Sequence, residues 1–327
     1  MNAPKLRIVL LFPPHVSPDP TTLPLLTALQ SLLNVSYTAR HCTRPDIFGT
    51  SHLRLADPAR FADIIGVDGF TVAIFAVKSD AGQSQTGSSN DIEGYAAREG
   101  EVVELVATGS VNAVDDEDIR KYAQWAPRAK RVAQERDFES NSISTASEKL
   151  NGKLQALYRE RQNPPLMHEL RAFAVSPGHQ GFGLGAHVLK KIEWLLGSDG
   201  AEVVDFARGV ETPFSLGEGL SSSFRLENGG LVHGIDFDEV KILFGQRKSA
   251  DVVESEPERL ENDTVDGVER SLSQLNRRKL VLVAIRELGN EGYYQRRGYK
   301  SLGTGILPLG TWGSRAECTT VYMEKNI

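Results

Sequence analysis

The segment Glu169-Leu-Arg-Ala-Phe-Ala-Val-Ser-Pro-Gly-His-Gln180-Gly-Phe-Gly-Leu-Gly185 constrains the fold of this chain more than any other. Residues Met167 to Val175 read as a strand that runs into a glycine-rich turn. An amphipathic helix follows over Gly183 to Leu196, with Leu184, Val188, Ile192, Leu195 and Leu196 at helical spacing. A helix that starts in a turn of small residues presents backbone N–H groups beside the positive end of its dipole. Such a start suits a phosphate or pyrophosphate. Gly197 and Gly200 are placed to close the helix.

At 327 residues, 40% hydrophobic and 24% charged, the chain can bury a sizeable core. That length fits one large domain with insertions or two small ones. The net charge of −6 argues against a general nucleic-acid or membrane-surface binder. Two cysteines, Cys42 and Cys318, are too few for a disulfide framework or a cysteine-based zinc site, which favours a reducing compartment. The apolar run Ile8 to Phe12 is too short for a signal-peptide core and meets Pro13-Pro14. No apolar stretch approaches the roughly 20 residues that span a bilayer. We expect a soluble, cytoplasmic protein with no nucleic-acid or membrane partner, its oligomeric state unknown.

Strands are expected at Leu6 to Phe12, Phe70 to Val77, and Val102 to Val114, the last with a bulge at Gly109. Helices are expected at Thr21 to Leu33, with Thr21 or Thr22 as the cap, and at Asp57 to Ile65, with Pro58 in the first turn. Residues 79–91 read as a polar loop. The charged segment 115–161 reads as a helical insertion suited to cover an active-site mouth. Ala201 to Ala207 reads as a strand within a second insertion, 200–278, whose acidic run Asp251 to Glu269 suits a solvated helix or linker. Lys279 to Arg286 is the clearest buried strand. A short helix ending at Gly298 and strands at 300–307 and 319–324 complete the chain.

By itself Gln180-x-x-Gly183-x-Gly185 is a common pattern whose bland meaning is a tight strand-to-helix turn. A Walker loop requires Gly-Lys-Ser/Thr, and the chain has Gly185-Ala-His. A Rossmann fingerprint requires a third glycine in register, where the chain has His187 and Val188. The turn resembles the acetyl-CoA signature of the GCN5-related N-acetyltransferase (GNAT) superfamily, Gln/Arg-x-x-Gly-x-Gly/Ala, after a strand ending in Val-x-Pro, here Val175-Ser-Pro177. Tyr294-Gln-Arg-Arg-Gly298-Tyr299 resembles that family's Tyr-x-x-x-Gly-Phe after the next buried strand. The resemblance is tight over 166–197 and 279–303. The chain departs from the family in the insertion 200–278, and in Glu287, where many members place an asparagine that contacts pantetheine. Asn290 lies one helical turn on and is the candidate for that contact.

The resemblance implies an α/β (α+β) acyl-CoA N-acyltransferase (GNAT-like) fold. Its central mixed sheet would be mostly antiparallel and flanked by helices, in a single domain over 1–327 with the two insertions. The backbone of Gln180, Gly181, Phe182, Gly183, Leu184, Gly185 and Ala186 would hold the CoA pyrophosphate, with Gln180 shaping the turn. Glycine suits these positions because a Cβ would block close approach or disfavour positive φ. The strand edge at Phe173, Ala174 and Val175 would pair with the pantetheine amides. The N–H of Phe173 would bond the thioester carbonyl.

Direct transfer to an amine requires a proton acceptor and, for the leaving thiolate, a proton donor. Some family members place a general-base glutamate at the position of Glu169, four residues before Phe173 and so on the same face of a regular strand. The alternative for Glu169 is a strand-end carboxylate, solvated or paired with Arg171. Tyr294 is the candidate acid, and a packing role is the alternative for Tyr294 and Tyr293. His168, His179, His187 and His233 show no ligand spacing, so no metal is expected. Cys318 lacks a nearby histidine in sequence to activate it as a covalent nucleophile. The reading is an acetyl-CoA-dependent N-acetyltransferase acting on a small-molecule or amino-acid-like amine. The alternatives are a protein lysine or N-terminal acetyltransferase, and a non-catalytic CoA-binding regulatory protein.

Overall fold

The computed structural model of the chain describes residues 5–49, 51–78, 102–114, 167–197, 200–204, 221–228, 230–238, 240–242, 278–307 and 309–327. They form a mixed α/β protein in two compact units. The first draws on 1–40, 52–112 and 171–258, the second on 41–51, 113–170 and 259–327. The polar loop at 79–91, the insertion at 115–161 and most of 200–278 lie outside the described residues. Among the described residues no helix is long and apolar enough to cross a membrane.

In the first unit, β1 (Leu6–Leu11) pairs antiparallel with β2 (Phe70–Lys78) along its whole length, from Leu6↔Ala76 to Leu11↔Thr71. Both are dense in leucine, β-branched and aromatic residues, as strands buried on both faces require. Between them run α1 (Leu23–His41) and the short α2 (Phe61–Ile65), which follows a 3₁₀ turn over Pro58–Arg60. Thr22 directly precedes α1, and its carbonyl accepts from the Leu26 N–H at 3.0 Å. In the turn before it, the Asp19 carboxylate accepts from the N–H groups of Thr21 (2.7 Å) and Thr22 (3.2 Å). The helix also continues past Leu33 to His41, because Ser36 and His41 extend its buried stripe. Leu25, Leu26, Leu29, Leu32 and Leu33 pack in one cluster with Val9, Leu11, Ala73, Phe75, Ala172 and Ala174. Burying each leucine contributes about 1.5–3 kcal/mol.

β3 (Val102–Val114) runs antiparallel to β2. Its register slips between Ile74↔Ala107 and Phe75↔Leu105, so the bulged residue is Val106 and not Gly109. Gly109 sits in regular pairing opposite Val72, and its role is space. A Cβ there would lie 2.5 Å from Val188 Cγ1 and 2.8 Å from Ile192 Cδ1. Both belong to α3 (Leu184–Leu196), which follows β4 (Met167–Val175). Absence of a side chain thus lets α3 lie close on the sheet.

Ala201 to Ala207 is not the expected strand. Residues 201–204 are helical, with the Ala201 N–H donating to the Gly197 carbonyl at 2.9 Å. Buried Ala201, Val203 and Val204 gave the segment a strand-like composition, but the local hydrogen bond continues the helical path. Residues 205–207 lie outside the described residues. The unassigned region beyond holds a hairpin of β5 (Ser221–Leu226) and β6 (Leu231–Asp236). Its turn is closed by Leu226 N–H to Gly230 carbonyl (2.7 Å) and by Gly230 N–H to the Asn228 side chain (3.1 Å). Asn228-Gly-Gly was a readable hairpin signal. β5 pairs parallel with β3 and β6 antiparallel with β1, two residue pairs each. The ladders of β1, β2, β3, β5 and β6 therefore close on themselves.

In the second unit, β7 (Lys279–Ile285) pairs in parallel with the start of β4 at Met167↔Lys279, His168↔Leu280 and Glu169↔Val281. A short α4 (Asn290–Gln295) leads to β8 (Lys300–Leu307), and β9 (Cys318–Asn326) runs antiparallel between β7 and β8. Ile47 and Phe48 cluster with Ile285, Leu288, Leu307, Cys318 and Trp312. The backbone there is pinned by the bridge Phe48↔Ser314 and by Gly49 N–H to Gly313 carbonyl at 2.8 Å.

The close approach at Gly109 makes a direct prediction. Gly109→Ala lowers the unfolding free energy by about 1–3 kcal/mol through overpacking. Val188→Ala in the same chain recovers part of that loss. Denaturant midpoints at constant m-value measure both, and an unchanged midpoint for Gly109→Ala would contradict the steric account.

Candidate functional site

The end of β4 is held by polar contacts from three directions. The Val175 carbonyl accepts from Ser36 Oγ of α1 at 2.9 Å and from Gln180 Nε2 at 3.3 Å. The next N–H, that of Ser176, donates to the carbonyl of the bulged Val106 at 2.8 Å. A 3₁₀ turn over Pro177–His179 then carries the chain to Gln180, whose side chain folds back onto the strand it follows. Ser36 was not singled out by sequence, because a serine in an apolar helix gives no local sign of a distant carbonyl.

Gly181 (φ +86°) and Gly183 (φ +80°) both occupy the left-handed region, which disfavours residues bearing a Cβ. A Cβ built on either would meet nothing within 4 Å, so backbone conformation and not crowding calls for glycine. Gly183 is the N-cap of α3 and supplies no side chain to its first turn. Phe182, between the two glycines, is 77% exposed, whereas Leu184 is buried. Gly185 and Ala186 complete the first turn half-buried. Ala174 is buried in the core, and the Phe173 ring packs beside Gly109. The first unit therefore gathers Phe173, Ala174, Val175 and Gln180 through Ala186 around one strand-to-helix turn. Further along α3, burial draws Lys191 below the usual lysine range, with its ammonium 3.9 Å from the Phe237 ring centroid.

Glu169, Asn290 and Tyr294 belong to the second unit. Glu169 is buried, with only 7% of its surface exposed. The pairing Glu169↔Val281 puts it on the face of β7 that carries Val281 and Val283. Val283 in turn pairs with Tyr322 of β9. Burial, and then the charge of Glu169, push the Tyr322 phenol up to about 12. Sequence reasoning missed Tyr322. Its only signal was alternation within the last strand, which says nothing about a partner on β4.

Tyr294 is half-buried on α4, edge-on to Tyr293 (5.1 Å between centroids) and to Tyr299 (5.5 Å). Tyr293 lies under the Arg297 guanidinium, 3.6 Å from its ring centroid. Asn290 is the first residue of α4, directly after Gly289 at φ +71°. Glu287 has a structural occupation. Its carboxylate accepts the Thr319 N–H at 2.8 and 3.0 Å, and its carbonyl accepts from Arg44 Nη1 at 3.1 Å. The glutamate thus ties the turn after β7 to the start of β9.

Both cysteines are free, Cys42 exposed and Cys318 buried. Burial, reinforced by the charge of Glu287, pushes the Cys318 thiol up to about 11. A thiol in that range is a poor nucleophile at neutral pH. Among the described residues no group of three or more His, Cys, Asp or Glu is placed to hold a metal ion.

Neither protein-family models nor curated proteins give a match to this chain. Among solved structures it is similar to FeeM, an N-acyl amino acid synthase from uncultured soil microbes. The sequence identity is 9% and the TM-score 0.31, over 99% of this chain and 93% of that one.

The two thiols should separate cleanly under alkylation. Iodoacetamide labels Cys42 in the native protein, and Cys318 only after unfolding. Raising the pH from 7 to 9 leaves Cys318 protected, because its folded-state titration lies above that window while the unfolded thiol titrates within its upper part. Peptide mass spectrometry reads both sites, and native labelling of Cys318 at pH 8 would contradict its environment.

Proposed function

We propose that this chain is an N-acetyltransferase with a GNAT-like core, transferring the acetyl group of acetyl-CoA to the primary amine of a small or amino-acid-like molecule. The observation that carries the reading is the turn Gln180 to Ala186. Two glycines in left-handed conformations open α3 at the end of β4, with clear space where their side chains would be. Backbone N–H groups at a helix start, with three of the seven residues lacking a Cβ, suit a pyrophosphate that must approach closely. The side-chain bond from Gln180 to Val175 fixes the turn relative to the strand, which supports the shaping role assigned to it.

In this reading the acceptor nitrogen attacks the thioester carbonyl, forming the C–N bond. The N–H of Phe173 stabilises the oxyanion that develops. Glu169 takes the proton released by the amine, directly or through a water. The C–S bond then breaks, and Tyr294 donates its phenolic proton to the departing CoA sulfur. Ala174 and Val175 offer backbone amides to pantetheine, and Asn290 is the candidate side chain for it. Direct attack is favoured over an acyl-enzyme because Cys318 is buried and held protonated.

Three variants test the reading. Gly183→Val should weaken CoA binding about 10-fold or more by calorimetry, since valine resists φ near +80°. Tyr294→Phe and Glu169→Gln should each lower thiol release from acetyl-CoA about 10–100-fold with CoA affinity kept. Full activity in both variants would remove the assigned roles and leave the CoA site standing. Stabilisation by CoA without turnover on any amine or peptide would favour a binding protein. No stabilisation by CoA at all would reject the reading.

A further inference from the structure

We propose that the outer side of the glycine turn and of α3 seats the 3′-phosphoadenosine end of the donor, with the adenine stacked on Phe182 and the 3′-phosphate on Lys190, so that the chain selects CoA over dephospho-CoA. The inference rests on the acetyl-transfer reading, in which the pyrophosphate lies at Gln180 to Ala186 and pantetheine runs along Phe173 to Val175.

That reading leaves the adenosine half of the donor unassigned. Pantetheine departs from the pyrophosphate toward β4, so the adenosine departs on the other side, toward the exposed residues of the turn. Phe182 is among them. A large apolar side chain just before an N-cap ordinarily packs on the residue at the fourth helical position, as a hydrophobic staple. Here the N-cap is Gly183 and the fourth helical position is His187, yet Phe182 remains 77% exposed. The staple is not made, although Leu184 nearby is buried. The Phe182 ring therefore does not serve to seat α3. Gly181 at φ +86° and Gly183 at φ +80° flank it, and a Cβ built on either would meet nothing within 4 Å, so the space beside the ring is open. A flat apolar ring in open space beside an anion cradle suits a nucleobase, which stacks on aromatic side chains through its π-face.

The helix supplies a partner for the phosphate. His187, Lys190 and Lys191 stand at spacings of three and four, so they line one side of α3, away from the buried Leu184, Val188, Ile192 and Leu195. From Leu184 to Ile192 the helix carries no acid, in a chain whose net charge is −6. The two lysines differ in their engagements. Lys191 is half-buried with its ammonium 3.9 Å from the Phe237 ring centroid, and the charge of Asp238 acts on it and on His187. Lys190 is exposed and makes no hydrogen bond or ion pair with another described residue. It stands two turns beyond Gly183, about 10 Å along the axis. Helical side chains lean toward the N-terminus, so an extended lysine recovers more than half of that distance. The 3′-phosphate is one ribose away from the pyrophosphate, which closes the remainder.

Calorimetry of the full chain with CoA and with dephospho-CoA tests both contacts. Wild type should bind CoA about 10-fold more tightly than dephospho-CoA, as one charge-assisted contact to a phosphate predicts. Lys190→Gln should cut that preference to about 3-fold or less, with the affinity for dephospho-CoA unchanged. Lys191→Gln should keep the preference, because that ammonium is taken up by Phe237. Phe182→Ala should weaken both ligands alike, about 5-fold or more, and Phe182→Tyr should restore them. Thermal midpoints of the ligand-free Phe182 and Lys190 variants should match wild type, since both side chains are exposed. Equal wild-type affinity for the two ligands, or a preference that survives Lys190→Gln, overturns the phosphate contact. Unchanged affinity in Phe182→Ala overturns the adenine contact. Either result leaves the acetyl-transfer reading standing while CoA still binds and amines are acetylated. If CoA binds but no amine is acetylated, that reading fails, and the same titrations still decide the two contacts. Absence of CoA binding to wild type rejects both.

Discussion

The contact between Gly109 and α3 is the constraint on which the first unit depends. With Val188 Cγ1 and Ile192 Cδ1 occupying the space of a side chain, α3 has one position against β3. That position determines where the helix begins, and so where the turn holding Gly181 and Gly183 stands. The bulge at Val106 serves the same end, because its carbonyl receives the Ser176 N–H just as the chain leaves β4. Ser36 and Gln180 meet at the Val175 carbonyl and complete the anchorage. The turn is therefore open at its tip and fixed at its root, an arrangement suited to preorganised binding.

The second unit is built on a different economy of contacts. Its central strand, β7, is flanked by the start of β4 and by β9, so residues distant in sequence line one face. Glu287 shows how a polar residue in that setting can serve the fold: both carboxylate oxygens hold the start of β9. Glu169, buried opposite Val281, shares a sheet face with Tyr322, and its charge adds to burial in raising that phenol. The two glutamates of one unit thus stand in different settings, one in a turn and one on a strand.

Much of this was legible because local physics and tertiary need agree. β4 spans Met167–Val175 and α3 starts immediately after Gly183, as the apolar spacing and glycine pattern require. β2 and β7 follow equally from dense β-branched runs. Where the reading failed, a partner distant in sequence had decided the outcome. Gly109 looked like a bulge because a glycine in a strand usually means one, but its cause is a helix some 80 residues on. Within the strand expected at 201–207, residues 201–204 are helical instead, with the Ala201 N–H bonded to the Gly197 carbonyl. The β5–β6 hairpin was passed over although Asn228-Gly-Gly marked its turn.

The sequence by itself determined the strand–turn–helix at 167–196 and the need for glycine within it. Those depend on periodicity and on the φ values open to each residue, which are properties of neighbours along the chain. It also marked Glu169 and Tyr294 as groups with usable chemistry. Only the tertiary structure decided that Ser36 would bond Val175, that Glu287 would hold Thr319, and that Tyr322 would share a sheet face with Glu169. Each joins residues more than 30 positions apart, and the register of a ladder or the seating of a helix sets such meetings. A one-residue slip in a ladder would turn its side chains to the opposite face.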